Sequence, residues 1–200
     1  MIMQSSIREY LQQYRSRITI TGPRSVGKTT IAKILSKKLK VPYFSSDEAM
    51  DIATASFGGL DGAIKSGDTG FIMRFAIPHV QAVMREPMFV YDLAGGAVTS
   101  GKFALVSKRI ARIIEKNSLV IGLIPAKNIK ESVEFLFSRE KRRYHFKGYN
   151  HKALRIKVRN DLKKFLQLDF LNICDYIVCV KNKSKMEIIN EILMNIQPKI

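Results

Sequence analysis

Residues 22–29 have the sequence Gly22-Pro23-Arg24-Ser25-Val26-Gly27-Lys28-Thr29, and they set the architecture of the whole chain. Two glycines separated by four residues, followed by a lysine and a threonine, form a loop whose backbone N–H groups can close around phosphate oxygens. The β-branched alternation of residues 17–21 predicts a strand before this loop. Apolar residues at helical spacing follow it, at Ile31, Ile34, Leu35 and Leu39. A strand, this loop and a helix are typical of a phosphate-binding loop rather than of a plain glycine turn.

The same loop assigns roles to its last residues. Lys28 would reach the β- and γ-phosphates of a nucleoside triphosphate, and the Thr29 hydroxyl would ligate Mg²⁺. Unpaired N–H groups at the start of the following helix, which includes Thr30, would face the same anion. We therefore predict that residues 22–30 bind a nucleoside triphosphate and Mg²⁺.

The composition excludes several other classes of protein. Apolar residues make up 46% and charged residues 26% of the 200 residues, a balance typical of a globular domain. The uncharged apolar stretches are far shorter than the roughly 20 residues of a membrane span, and residues 1–17 lack the apolar block of a secretory signal. Two cysteines, Cys174 and Cys179, are too few for a disulfide scaffold, and we expect them to be buried apolar residues. A cytoplasmic protein is the expectation.

The charge is uneven along the chain. The net charge is +17, and residues 101–200 contribute most of it, with 22 basic and 9 acidic side chains against 12 and 8 in residues 1–100. Such an excess favours anionic partners, unless the lysines only cover solvated surface.

Strands and helices alternate along the sequence. Strands are predicted at 17–21, 41–44, 88–91, 119–124 and 176–180, and a long helix is predicted from about 152 to 171. A short leading helix is predicted over residues 5–14, and no linker divides the chain into domains. Crossover connections of this kind predict an α/β sandwich, with a parallel sheet covered on both faces.

Three acids follow predicted strands. Asp92 ends the strand 88–91, where a carboxylate can hold Mg²⁺ beside a phosphate-binding loop, although a loop acid capping a turn would also fit. Asp47 and Asp51 follow the second strand, at the edge where open α/β sheets bind ligands. The alternative for Asp47 is a helix cap, paired with Asp51.

The order of these segments resembles shikimate kinase, within the nucleoside monophosphate kinase-like branch of P-loop proteins. The resemblance is carried by residues 18–39 (ITITGPRSVGKTTIAKILSKKL), 41–51 (VPYFSSDEAMD), 62–71 (GAIKSGDTGF), 91–98 (YDLAGGAV), 120–144 (VIGLIPAKNIKESVEFLFSREKRRY) and 173–180 (ICDYIVCV). It implies a single domain with a five-stranded parallel sheet, a three-layer P-loop fold with a lid, and transfer of the ATP γ-phosphate to a hydroxyl.

Residue by residue, the resemblance keeps some of the acceptor site and loses the rest. Asp47 aligns with the acid that binds the acceptor's hydroxyls, whereas Ser45 stands where the family has a metal-side acid, a loss for which Asp92 would compensate. The family's acceptor loop of three glycines is Ala94-Gly95-Gly96 here, and Gly95 and Gly96 are expected to bind the acceptor. Ile72 and Leu166 stand where the family has carboxylate-binding arginines. We therefore predict a polyhydroxylated acceptor that bears no essential carboxylate, or one whose anion the nearby Arg74 binds instead.

The segment 139–151 interleaves cations with aromatic residues. As the lid that the resemblance implies, it would place Arg139 near the adenine and Arg143 on the transferring phosphoryl group. As a nucleic-acid contact, its cations would bind phosphates while its aromatic rings stack on bases. A solvated loop with aromatic residues packed beneath it is the third interpretation.

These observations lead to one predicted function and two alternatives. We predict an ATP- and Mg²⁺-dependent kinase of a small hydroxyl-bearing metabolite, acting as a monomer or weak homodimer. Lys28, Asp47 and Arg143 would be catalytic, and Thr29 and Asp92 would hold the metal. A non-catalytic ATP-binding regulator and an NTPase acting on nucleic acid are the alternatives.

Overall fold

The computed structural model describes residues 16–59, 69–99, 101, 103–142 and 150–196. These residues form one five-stranded sheet in the order β2-β3-β1-β4-β5, and every pair of neighbouring strands is parallel. The strands are β1 (Arg17–Thr21), β2 (Tyr43–Ser45), β3 (Phe89–Asp92), β4 (Leu119–Ile124) and β5 (Tyr176–Cys179). The predicted α/β fold with a five-stranded parallel sheet is confirmed, while the predicted leading helix lies outside the described residues.

Helices connect the strands and cover the sheet. They are α1 (Lys28–Leu39), α2 (Ser46–Ala53), α3 (Thr69–Val83), α4 (Gly96–Thr99), α5 (Ala104–Asn117), α6 (Ile129–Glu140), α7 (His151–Lys164), α8 (Leu168–Asn172) and α9 (Lys185–Ile196). A 3₁₀ turn, Ala55–Phe57, follows α2. In the part of the chain that the structure describes, none of these helices is long and apolar enough to cross a membrane.

Side chains of the sheet alternate between its two faces, as the pleat of a strand requires. On one face, Ile18 and Ile20 of β1 pack with apolar residues of α1, α6, α7 and α9. On the other face, Phe89 and Tyr91 of β3 pack with α3 and α5. The result is three layers, with β1 fully covered at the centre of the sheet.

The long helix predicted over residues 152–171 is wrong, because the chain breaks it into α7 and α8. Gln167 adopts an extended conformation at the break. Phe165 and Phe170 are both buried, with their rings edge to face at 5.0 Å. In one continuous helix these two residues would point about 140° apart, so the break lets both rings reach the same cluster.

The cysteines also differ from the prediction. Cys174 and Cys179 are both partly exposed rather than buried. The Cys174 thiol donates a hydrogen bond to the carbonyl oxygen of Phe170 at 3.3 Å. Their positions at the outer strand β5 and the loop before it account for the exposure.

Candidate functional site

A cleft of about 1050 Å³ opens at the carboxyl ends of the strands. Its walls come from the loop 22–29, the start of α1, α2, the turn before α4, the end of α7, and the segment from β5 into α9. The lining includes Arg24, Ser25, Lys28, Thr29, Asp47, Asp51, Gly95, Gly96, Arg139, Asp161 and Lys164. This is the edge of a parallel sheet at which ligands bind in open α/β folds.

The loop 22–29 leaves the central strand β1 and is fixed by close packing. A Cβ atom at Gly22 would lie 2.2 Å from the carbonyl oxygen of Leu123 in β4, so no larger residue fits there. The Lys28 Nζ donates hydrogen bonds to the carbonyl oxygens of Gly22 at 3.1 Å and Pro23 at 3.2 Å. The lysine therefore lies over the loop, with its charge at the cleft.

The start of α1 is open to an anion. Gly27 is the N-cap residue, and this described helix terminus has neither a side-chain cap nor an acid in its first turn. The first N–H groups of an α-helix have no partner within the helix, and the helix dipole makes that end positive. Together with the loop, this terminus can bind a phosphate group.

Thr29 and Asp92, the two residues predicted to hold the metal, lie in direct contact. The Thr29 hydroxyl donates a hydrogen bond to Asp92 Oδ2 at 2.6 Å. The sheet register explains the contact, because Asp92 pairs with Ile20 on one side and with Ser45 on the other. Asp92 thus lies beside the position where the shikimate kinase pattern has its metal-side acid.

Thr29 is exposed to the cleft, whereas Asp92 lies behind it with 3% of its surface exposed. Burial raises the pKa of Asp92, although the hydrogen bond from Thr29 and the charge of Lys28 act in the opposite direction. Tyr43 also reaches Asp92, with its hydroxyl 3.4 Å from Oδ2, and burial raises the pKa of Tyr43 to about 12. Both neighbours therefore present hydroxyl groups to this carboxylate.

These oxygen atoms fit Mg²⁺ better than a transition metal. Among the described residues, no group of three His, Cys, Asp or Glu side chains could hold a metal by itself. Mg²⁺ is usually bound by one or two carboxylates together with substrate phosphates and water. One hydroxyl and one carboxylate beside a phosphate-binding loop match that requirement.

Asp47 lies in the first turn of α2 and is exposed at the cleft. The helix cap is Ser45, whose side chain accepts a hydrogen bond from the Glu48 N–H at 3.3 Å. The alternative that Asp47 caps the helix is therefore wrong. Its carboxylate remains available to a ligand, and Asp51 lines the cleft one turn further along α2.

The turn before α4, residues 94–96, packs between the phosphate-binding loop and the residue after α7. A Cβ atom at Gly95 would lie 2.3 Å from the carbonyl oxygen of Gly22 and 2.5 Å from the Phe165 ring. Gly95 is thus required for packing against the phosphate-binding loop, whatever else it contacts. Gly96 is exposed, and Ser46 Oγ accepts a hydrogen bond from the Ala94 N–H at 2.8 Å.

Two predicted site residues lie away from this arrangement. Arg74 is exposed on α3, outside the described lining of the cleft. Arg143, the predicted catalytic arginine of the lid, lies outside the described residues. Arg139 lines the cleft, and its Nη1 donates hydrogen bonds to the carbonyl oxygens of Ser25 and Val26, each at 3.1 Å.

Four charged residues of the cleft were not predicted: Asp161 and Lys164 near the end of α7, and Lys183 and Lys185 between β5 and the start of α9. Asp161 accepts hydrogen bonds from Lys164 at 3.4 Å and from Lys157 at 3.1 Å. Lys164, the last residue of α7, lines the cleft, and Leu166 beyond the helix break is half-buried against the core.

Glu140 was also missed. It is 3% exposed at the end of α6 and accepts a hydrogen bond from the Ser25 hydroxyl. A buried carboxylate beside a phosphate-binding loop has no local signal in the sequence, because the two residues are 115 positions apart.

No family model matches this chain. Solved structures do resemble it along nearly its whole length. A shikimate kinase from Acinetobacter baumannii in complex with shikimate has a TM-score of 0.64 at 15% identity, matched over 88% of this chain and 90% of that chain. A shikimate kinase from Bacteroides thetaiotaomicron has a TM-score of 0.64 at 20% identity, over 89% and 94%.

A gluconokinase from Sinorhizobium meliloti 1021 has a TM-score of 0.55 at 13% identity, over 92% of each chain. At these identities the likeness concerns the fold. The predicted resemblance is confirmed at that level: the chain is similar in fold to shikimate kinases and to a gluconokinase, which are P-loop small-molecule kinases.

Proposed function

We propose that this protein is an ATP- and Mg²⁺-dependent phosphotransferase that moves the γ-phosphate to a hydroxyl group of a small metabolite. The observation that carries the proposal is the 2.6 Å contact between Thr29 and Asp92 beside Lys28. It joins a phosphate-binding loop to a carboxylate that lies directly behind the cleft, and Asp47 and Gly96 line the wall of that cleft.

At the nucleotide end, each residue has a distinct role. The backbone of residues 22–30 binds the phosphates, and Lys28 turns from the carbonyl oxygens of Gly22 and Pro23 to the β- and γ-phosphate oxygens. Thr29 supplies the direct oxygen ligand for Mg²⁺. Asp92 accepts the hydrogen bond from the Thr29 hydroxyl, and this bond keeps the lone pairs of the hydroxyl oxygen directed at the cleft. Mg²⁺, when bound, supplies neutralisation of phosphate charge.

At the acceptor end, Asp47 orients the hydroxyl group and accepts its proton. The acceptor oxygen forms a bond to the γ-phosphorus while the bond from that phosphorus to the ADP oxygen breaks. Lys28, and Arg143 from the lid segment, stabilise the negative charge on the transferring group. Gly95 and Gly96 keep the backbone near the acceptor free of side chains.

The acceptor itself is proposed to be polyhydroxylated and to lack an essential carboxylate. Leu166 packs half-buried against apolar residues, and Arg159 lies in a groove between α6 and α7 rather than in the cleft. Lys164, Lys183 and Lys185 also line the cleft, but the first two already pair with Asp161 and Glu191, and none is an arginine that could bind a carboxylate through two parallel hydrogen bonds. A carboxylate would therefore lose the charge-assisted hydrogen bonds that two arginines would give it, each worth about 1.5–3 kcal/mol.

The test is a coupled assay that measures ADP release in the presence of ATP, Mg²⁺ and one candidate acceptor at a time. The candidates are neutral polyols, sugars and shikimate. Turnover that requires an added neutral acceptor supports the proposal, and shikimate should then show a high KM. Saturation by micromolar shikimate would overturn the proposed acceptor class. ATP binding without acceptor-dependent turnover would favour a regulatory nucleotide-binding protein.

A further inference from the structure

The last two residues of α6 hold the middle of the phosphate-binding loop. Glu140 Oε1 accepts a hydrogen bond from the Ser25 hydroxyl, and Arg24 Nε lies 3.8 Å from the same oxygen. Arg139 Nη1 donates to the carbonyl oxygens of Ser25 and Val26, at 3.1 Å each. Two adjacent residues of one helix therefore contact three consecutive residues of the loop.

Ser25 needs such support, because its backbone is in the left-handed region with a φ of 63°. A residue with a Cβ atom populates this region at a cost in free energy, and it stays there only when its surroundings hold it. Alternation of left- and right-handed residues turns successive N–H groups toward one anion. The strained conformation of Ser25 thus contributes to the shape that binds phosphate.

The burial of the Glu140 carboxylate at this position is energetically unfavourable. The Glu140 side chain is 4% exposed, whereas Glu134, one and a half turns earlier on α6, is 59% exposed. Glu140 Oε2 is buried and has no hydrogen-bond partner within the described part of the chain. Burying a carboxylate that is only partly hydrogen-bonded opposes folding, so the contact with Ser25 is the feature that accounts for it.

We propose that Glu140, together with Arg139, is a positioning residue that keeps the phosphate-binding loop preformed by holding Ser25 in the left-handed conformation. This inference rests on the proposed binding of ATP by residues 22–30. Without the Glu140 carboxylate, Ser25 would relax toward ordinary backbone angles. The loop would then have to be reordered by each nucleotide that binds, which lowers affinity.

The first measurement is the Kd of Mg-ADP by titration calorimetry for wild type and for Glu140→Met. Methionine fills a similar volume and removes both oxygen acceptors. We expect the variant to bind ADP roughly tenfold more weakly, with no loss in the melting temperature of the free protein. Glu134→Met on the exposed side of the same helix is the matched control, and its Kd should equal that of wild type.

The second measurement is rescue by glycine, which adopts a φ of 63° without strain. In a Ser25→Gly background, Glu140→Met should change the ADP Kd by less than about twofold. A merely structural role for Glu140 would cost the same factor in both backgrounds. Equal costs, or an unchanged Kd for Glu140→Met in the wild-type background, would overturn the inference.

A variant in which Glu140 is unchanged tests the same inference if Glu140→Met does not fold. Ser25→Ala keeps the strain and removes the hydroxyl, so it should bind ADP more weakly than Ser25→Gly does. The reverse order would contradict the inference. If the wild-type protein itself does not bind ADP, the proposed function fails first, and this outcome is distinct from a binding wild type whose Glu140 variant is unaffected.

Discussion

The two ends of the cleft, which are the proposed nucleotide end and the proposed acceptor end, are built in different ways. At the nucleotide end, eight consecutive residues supply the loop, and its contacts are short and mutual, as between Thr29 and Asp92 at 2.6 Å. At the acceptor end, single residues arrive from separate elements, among them Asp47 from α2, Gly96 from the start of α4 and Lys164 from the end of α7. The sequence motif therefore specifies the loop directly, whereas the other end of the cleft depends on how separate elements pack.

Replacement of Lys28 by alanine should have the largest effect on activity of all the substitutions considered, because it removes the cation of the proposed nucleotide end. The side chain lies over the loop rather than in the apolar core, so the fold should persist. Loss of a cation aimed at the transferring phosphoryl group should cut turnover by about 100-fold or more, and ATP should bind more weakly. The measurements are kcat and the Kd of ATP.

Lys33→Ala is the control for Lys28→Ala, because Lys33 lies on the same helix in an exposed ion pair with Glu48. It should leave both constants unchanged. ATP binding by Lys28→Ala as tight as that of wild type would contradict the role of the loop.

Asp47→Asn should separate the two ends. Loss of the base that orients the acceptor hydroxyl should lower kcat by about 100-fold, while the Kd of ATP stays within twofold because Asp47 contacts no residue of the loop in the described hydrogen bonds. Calorimetry with ATP and the acceptor-dependent rate measure the two effects. A parallel loss of ATP affinity would show that the ends are not independent.

The fold and the nucleotide end could be predicted because their signals are local. Alternating β-branched residues indicated the first strand, and continuous apolar runs indicated those at 88–91 and 119–124. The spacing of Gly22, Gly27, Lys28 and Thr29 indicated the loop. The contact of Thr29 with Asp92 was predictable one step further, because parallel strands end at one edge of the sheet.

The rest depends on distant packing. Glu140 meets Ser25 across 115 positions, and Lys164 lies at the cleft beside Phe165, whose ring packs against Gly95, 70 positions earlier in the chain. No local pattern encodes either placement. The acceptor end therefore needed the three-dimensional structure.

Asp92→Asn tests the metal site within the proposed nucleotide end, and its expected effect on activity is smaller than those of Lys28→Ala and Asp47→Asn. It should raise the Mg²⁺ concentration for half-maximal activity by roughly tenfold, since a neutral amide is a weaker partner for a cation site. Ser45→Ala should change the Mg²⁺ requirement little. It should instead destabilise the protein by about 1 kcal/mol, because Ser45 caps α2. The opposite ranking of the two variants on Mg²⁺ would refute the assignment of Asp92.

The raised pKa of Asp92 predicts a second, pH-dependent effect on stability in the absence of nucleotide. Because the folded state favours the neutral acid, wild type loses stability relative to Asp92→Asn as pH rises from about 4, the ordinary value, through the raised pKa. The melting temperature of Asp92→Asn, measured relative to that of wild type, should therefore increase over this range. A decrease in this difference as pH rises would mean that the folded protein favours the ionised carboxylate.

The smallest expected effect belongs to Lys164, and it decides what kind of acceptor the cleft takes. Lys164 is half-exposed and shares Asp161 with Lys157, so a neutral polyhydroxylated acceptor gains little from its charge. Lys164→Met should then raise the acceptor KM by no more than about threefold and leave kcat unchanged, since removal of a ground-state contact acts on KM. Lys157→Met is the matched control, because Lys157 bonds to the same carboxylate but lies outside the described lining of the cleft. If Lys164→Met raises KM more than tenfold while Lys157→Met does not, the acceptor is an anion whose charge Lys164 binds in place of the arginines missing at Ile72 and Leu166.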